Sequence, residues 1–251
     1  MRPTRIRDLK MKTVFSKFIC IIGISVFCMS CGKGLWIKGN GDLVTSEKSI
    51  STFEKIKCAG AAEVYFHASN EFRVVVTVDA NLEKYVDIFV KNNTLHIGTK
   101  NECGASSYSF TKYLVEVYGP ALTGVAISGS GSFEGIDEII ASTFDAVVSG
   151  SGKINGTFDC VSLSAKISGS GKMTLVGTST DANISISGSG RFHGNELDTK
   201  NASVHISGSG KATICVADYL NAKISGSGEI RYCGEPKIDS SISGSGQIRK
   251  M

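Results

Sequence analysis

Ile167-Ser168-Gly169-Ser170-Gly171-Lys172-Met173 holds in seven residues the pattern that decides the fold. The tetrapeptide Ser-Gly-Ser-Gly recurs with its first serine at Ser128, Ser149, Ser168, Ser187, Ser207, Ser225 and Ser243, at spacings of 21, 19, 19, 20, 18 and 18 residues. Self-similarity at a period near 20 residues announces a solenoid in which each repeat is one coil of chain. The flanks say which side chains turn inward. A β-branched aliphatic residue precedes every copy: Ile127, Val148, Ile167, Ile186, Ile206, Ile224 and Ile242. Five positions after the first serine stand Phe133, Ile154, Met173, Phe192, Ala212, Ile230 and Ile248. Stacked coil on coil, both sets form apolar ladders, and burial of each such side chain contributes roughly 1.5 to 3 kcal/mol. A single coil cannot close around its own apolar face, so contacts between neighbours must stabilise the array.

The motif itself reads as a corner. Glycine supplies positive φ or a tight bend without a Cβ penalty, and a serine between two glycines can bond nearby backbone or stack along the wall. A phosphate cradle is the rival reading, but no Gly-Lys-Ser/Thr follows the motif and no helix pattern opens after it. One outward column is chemically uneven: Ser132, Lys153, Lys172, Arg191, Lys211, Glu229 and Gln247 occupy the position before the second ladder. Its four consecutive cations, Lys153, Lys172, Arg191 and Lys211, form a candidate stripe for an anionic glycan or lipid headgroup. Lysines on a sheet face also aid solubility and discourage edge association, which is the alternative reading.

Residues 1–30 have the layout of a secretory leader: a cationic start, an apolar stretch from Phe18 to Phe27, then small residues. That stretch is shorter than the roughly 20 residues a membrane-spanning helix needs. Cys28-Met29-Ser30-Cys31-Gly32 resembles a bacterial lipobox, which makes Cys31 the expected lipidation site and the outer membrane, periplasm-facing or surface-exposed, the expected address. Met11 opens a complete leader of its own and competes with Met1 as the true start. Of the 27 cations, six precede Cys31, and from there onward 21 cations face 22 anions. The footprint of a nucleic-acid binder is therefore missing.

Cys58, Cys103, Cys160, Cys215 and Cys233 remain after Cys31, with no zinc-ligand spacing among them. No metal site or cofactor is expected. Cys215 and Cys233 each fall eight residues after the first serine of their repeat, so they should stack one above the other. Adjacent strands about 4.8 Å apart accommodate either a disulfide or two stacked thiols.

The predicted plan is an all-β solenoid with coils of about 18–21 residues: a leader over 1–30, the lipidated cysteine and a flexible tether over 31–46, and one solenoid domain over 47–251. Within it, residues 47–124 would be N-terminal coils and 125–251 the seven repeats. Alternation in Val74-Val75-Val76-Thr77-Val78 and Val86-Asp87-Ile88-Phe89-Val90, and the turn signal at Asn92-Asn93, make the first part strand-rich.

The run Phe53-Glu54-Lys55-Ile56-Lys57-Cys58-Ala59-Gly60-Ala61-Ala62-Glu63-Val64, the segments Asp79-Ala80-Asn81-Leu82 and Asn93-Thr94-Leu95-His96-Ile97, and Gly119-Pro120-Ala121-Leu122 leading into Val125-Ala126-Ile127-Ser128 carry a resemblance. So does the ending Ile230-Arg231-Tyr232-Cys233-Gly234-Glu235-Pro236-Lys237-Ile238. The chain is similar to the putative auto-transporter adhesin family with the head GIN domain, over residues 50–249. That resemblance implies a right-handed parallel β-helix in which the pre-repeat segment forms further coils, and it brings neither a ligand nor catalytic residues.

Function is expected to be binding at the cell envelope, to a glycan or protein partner, without catalysis. A structural or regulatory protein acting by self-association through open solenoid ends is the second reading. A polysaccharide-active enzyme is the third, and it needs acidic groups converging in a groove. Counted from their tetrapeptides, Asp145, Asp159, Asp181 and Asp218 occupy different phases, as do His193 and His205.

Overall fold

Backbone hydrogen bonds from coil to coil hold the Ser-Gly-Ser-Gly corners. The N–H of the second serine donates to the carbonyl of the first glycine one coil earlier, as from Ser170 to Gly150 and from Ser189 to Gly169, both at 2.9 Å. The residue after the motif donates likewise, Lys172 to Gly152 at 3.0 Å. These amides are spent on the preceding coil and cannot cradle a phosphate. Both glycines are required, for different reasons. Gly169 has φ of 111° and a Cβ on it would stand 2.6 Å from the carbonyl oxygen of Gly150, whereas a Cβ on Gly171 would stand 2.3 Å from Cγ1 of Val148. The aliphatic residue before one motif thus fills the space that the next motif leaves empty.

The computed structural model describes residues 35–100 and 105–251. In chain order, β1 (Leu35–Lys38), β2 (Leu43–Ser49), β3 (Lys55–Gly60), β4 (Glu63–Ala68) and β5 (Arg73–Asp79) lead to a single 3-10 turn at Glu83–Tyr85. Then come β6 (Val86–Lys91), β7 (Thr94–Thr99), β8 (Ala105–Ser109) and β9 (Tyr113–Gly119). The repeats supply β10 (Gly124–Gly129), β11 (Ser132–Gly135), β12 (Ile139–Gly150), β13 (Lys153–Gly169), β14 (Lys172–Gly188), β15 (Arg191–Gly208) and β16 (Lys211–Gly226). The last coil and a half consists of β17 (Glu229–Cys233), β18 (Lys237–Gly244) and β19 (Gln247–Lys250).

From β10 to β19 every coil pairs in parallel with the next, which makes this part a β-solenoid. Ile167 stands opposite Ile186, and Ile186 opposite Ile206. Ile127, Val148, Ile167, Ile186, Ile206 and Ile224 are buried, as are Phe133, Ile154, Met173, Phe192, Ala212 and Ile230. The seventh rung departs from the expected ladders. Ile242 is in register with Ile224 yet 44% exposed, and Ile248 is only partly buried, because among the described residues no further coil covers them.

Two expectations need correction at the other pole. The pre-repeat segment is not a simple run of further coils. β3 and β4 do form one, its corner Ala59-Gly60-Ala61 standing in for the motif, with Gly60 opposite Gly129. β7 and β9 form another, parallel to β3 and β4 on their far side, so the order in space is β7/β9, β3/β4, β10/β11. Antiparallel strands finish this end: β6 pairs with β7, β5 with β9 and β2 with β5. The hairpin turn Asn92-Asn93 has φ of 50° and 55°, values asparagine tolerates better than most residues.

Residues 35–46, expected within the flexible tether, are also built into the fold. β1 pairs with β8, and β2 lies on the edge of β5. The clamp between them is Asp79, fully buried, whose carboxylate accepts the N–H of Gly41 at 2.9 Å and of Thr111 at 2.7 Å. Burial alone would raise its pKa, but these donors outweigh it and hold the carboxyl below the usual range. The leader, Cys31 and Cys103 lie outside the described residues.

Candidate ligand-binding surface

The sheet that follows each corner alternates strictly, so the inward ladder from Phe133 to Ile248 sits between two outward columns. In the first, Lys153, Lys172, Arg191 and Lys211 are register partners on successive coils, spaced about 4.8 Å. All four are exposed. They are not equivalent. Among the described residues Lys153, Lys172 and Arg191 have no acidic partner, whereas Nζ of Lys211 lies 3.1 Å from Oε2 of Glu229 on the next coil.

Glu229 is the hub of this pole. Its Oε1 accepts from both Nε and Nη2 of Arg249 and from Nε of Arg231 at 2.6 Å. Arg249 first, then Arg231 and Lys211, bring its carboxyl down to about 2. The stripe therefore consists of three unpaired cations ending at a neutralised patch. Beside it His193 occupies the second outward column, between Thr174 and Thr213. Burial, then the charges of Lys172 and Arg191, push its pKa down, so it is neutral at pH 7 and leaves the charge to its neighbours. A hollow of about 200 Å³ opens here between Arg191, His193, Lys211 and Arg231.

A second feature runs along another wall. Ile140, Asp159, Thr178 and Asp198 are register partners on four successive coils and line a groove of about 720 Å³. Ile140 is 67% exposed on its rim. The hydroxyls on its floor are spent on the backbone, Thr199 donating to the carbonyl of Cys215 at 2.8 Å and Ser179 to that of Asp181 at 3.0 Å. Thr178 stands between the two carboxylates and donates to Asp159 at 2.7 Å. Cys215 and Cys233 are register partners with Cα atoms 4.5 Å apart, and their sulfurs are bonded.

Residues 52–236, from just before the first coil to just before β18, match the family described as "putative auto-transporter adhesin, head GIN domain". The chain belongs to that family. Among solved structures this head GIN protein is similar to a putative lipid binding protein from Parabacteroides distasonis, at 28% identity and a TM-score of 0.73, covering 86% of this chain and 100% of that one. A putative adhesin from Parabacteroides merdae is 28% identical with a TM-score of 0.70, covering 86% and 99%. A putative adhesin from Bacteroides fragilis, at 22% identity and a TM-score of 0.79 over 86% and 100%, shares the fold. No match is found among curated proteins.

The family and these neighbours are described as adhesins or binding proteins, not as enzymes. Among the described residues of this head GIN protein, no three His, Cys, Asp or Glu side chains cluster as metal ligands, and no helix is long and apolar enough to cross a membrane. Sequence reasoning overlooked Asp198, which lies nine residues before Ser207 just as Asp159 lies nine before Ser168. Phase counting would have found it. It also missed that Arg231 and Arg249, two positions beyond the cation column, converge on Glu229.

Proposed function

We propose that this head GIN protein is a non-enzymatic binding module of the cell envelope, held at the outer membrane by a lipid on Cys31 and presenting its solenoid to an anionic glycan. The observation that carries the reading is the row Lys153, Lys172, Arg191, three unpaired cations at strand spacing on a rigid stack. A linear polyanion laid along the coil axis meets one cation per rung without ordering any loop, so little binding free energy is lost to conformational entropy. The adhesin descriptions of the family and of the Parabacteroides merdae neighbour support a binding role at the envelope or cell surface. The groove favours binding over hydrolysis as well. Its carboxylates Asp159 and Asp198 are exposed and two rungs apart with Thr178 between them, where hydrolysis needs an acid kept protonated and a base aimed at one bond.

The test is titration with a sulfated or carboxylated glycan and its neutral analogue at low and high salt. Binding should favour the anionic glycan, fall steeply with salt, and drop at least tenfold, about 1.4 kcal/mol, in the double variant Lys172→Glu, Arg191→Glu. Binding indifferent to that double substitution removes the stripe. Anionic vesicles in place of the glycan form a second arm, because one structural neighbour is described as lipid binding. Protease shaving of intact cells then separates a surface-exposed from a periplasm-facing address.

A further inference from the structure

The two poles of the stack differ in a way that ligand binding does not explain. At the C-terminal pole, among the described residues, β18 pairs only with β16 and β19 only with β17, which leaves one strand edge of each without a partner. Every residue of β18 is exposed. Its inward positions are Ile238, Ser240 and Ile242, in register with Leu220, Ala222 and Ile224 one coil earlier. Those two coils have the same chemistry and opposite burial: Leu220 and Ile224 are 0% and 2% exposed, Ile238 and Ile242 39% and 44%. An unpaired edge with exposed aliphatic residues is a template for another strand.

We infer that this pole is a homodimer face, in which β18 pairs antiparallel with β18 of a second copy about a two-fold axis through Ser240. The inward pattern Ile238, Ser240, Ile242 reads the same in both directions, as such an axis requires. In that register Ile238 of each copy faces Ile242 of the other, and the two Ser240 hydroxyls meet on the axis and bond each other. A slip by one residue would bring Asp239 or Ser241 against the apolar ladder, so the register is well specified. A partner of different sequence would have no need of the palindrome. A two-fold contact engages the same patch on both copies and uses it up, so association through β18 stops at two copies and builds no filament. On the wet side of the new pair Asp239 lies diagonal to its symmetry mate, a mild repulsion that salt screens. Dimerisation should therefore strengthen with salt, opposite to the binding of a polyanion on the stripe.

Sedimentation velocity of the full chain in a non-ionic detergent, over a hundredfold range of protein concentration, tests the inference. The protein-derived mass should double as concentration rises, more readily at high salt. Ile242→Glu should remain monomeric at every concentration and, at dilutions where the parent is itself monomeric, melt within a few degrees of it, since Ile242 is 44% exposed in the single chain. Ser240→Cys under mild oxidation should give a covalent dimer whose linked peptide maps to residue 240, and Ser241→Cys, on the wet side, should not. A wild-type chain that stays monomeric throughout overturns the inference. So does a growing series of oligomers, equal cross-linking at 241, or protection of the β18 amides from hydrogen exchange only after another protein is added.

Discussion

The two poles solve the same problem differently. A stack of parallel coils exposes a strand edge and an apolar ladder at each end. At the N-terminal pole the chain returns over itself: β7 and β9 cover the first coil, antiparallel strands cover those, and the buried Asp79 carboxylate ties residues 39–42 to the cap. At the C-terminal pole the ladder stops at Ile242, with a disulfide one coil back and the Glu229 hub on the wall. The first arrangement buries the ladder under antiparallel strands, whose outer edges are those of β2 and β6, and the second leaves the ladder itself exposed at Ile238 and Ile242. Repetition makes a wall cheaply, but an end has to be made by sequence that does not repeat.

Glycine substitutions give the largest effect. Gly60 and Gly169 hold equivalent corner positions with φ of 109° and 111°. A Cβ on Gly60 meets nothing within 4 Å, because the coil beneath it carries an insertion at this corner, whereas on Gly169 it meets the Gly150 carbonyl at 2.6 Å. Gly60→Ala should cost only the backbone strain, about 1 to 2 kcal/mol. Gly169→Ala adds displacement of a neighbouring coil and should cost about 3 to 5 kcal/mol, lowering the thermal midpoint by about 10 °C or more. Equal losses at the two sites would mean that coil stacking does not set the glycine requirement.

Next in size is the disulfide between Cys215 and Cys233, which closes a loop over a sequence separation of 18 residues. In the chain-entropy account a loop of this size is worth about 3 kcal/mol. Reduction, or Cys233→Ser, should raise hydrogen exchange in β17 to β19 and leave β2 and β5 unchanged. At the other pole Asp79→Ala should cost about 2 to 3 kcal/mol, because it removes the buried carboxylate that accepts the N–H groups of Gly41 and Thr111 and so ties both segments down. Its faster exchange should appear in β2 and stay out of β18. The folded pKa of Asp79 is depressed, so its contribution is present above the unfolded value near 3.9 and is lost as pH falls below it.

What the sequence discloses follows the same division. Ile167, Ile186 and Ile206 could be aligned from their spacing, because parallel register repeats one local decision, and the glycine corners follow from elementary sterics. The cap could not. Its coils lie out of chain order, so that β10 pairs with β3, more than 60 residues away, and no periodicity marks such a return. The cation column was visible as a column, but its effective length was hidden. Glu229 is neutralised by Arg249 across two coils, and only the fold joins a residue of one outward column to those of the next.

The smallest expected effect on stability bears most directly on function. Glu229→Gln removes a carboxylate shared by three exposed cations, so screening by water limits the loss to about 1 kcal/mol. Its folded pKa of about 2 lies below the ordinary glutamate value. The stabilisation is therefore full above about pH 4.5 and disappears as pH falls from there toward 2. In the variant, the acid-dependent rise in exchange of β17 and β19 should vanish, while that of β2, governed by Asp79, persists. The same change releases Lys211, Arg231 and Arg249 and lengthens the row of unpaired cations. Affinity for an anionic glycan should then rise a few-fold even as the pole becomes slightly less stable. Opposite signs for binding and stability in one substitution separate a ligand stripe from a merely solubilising one, for which only the loss of stability would be seen.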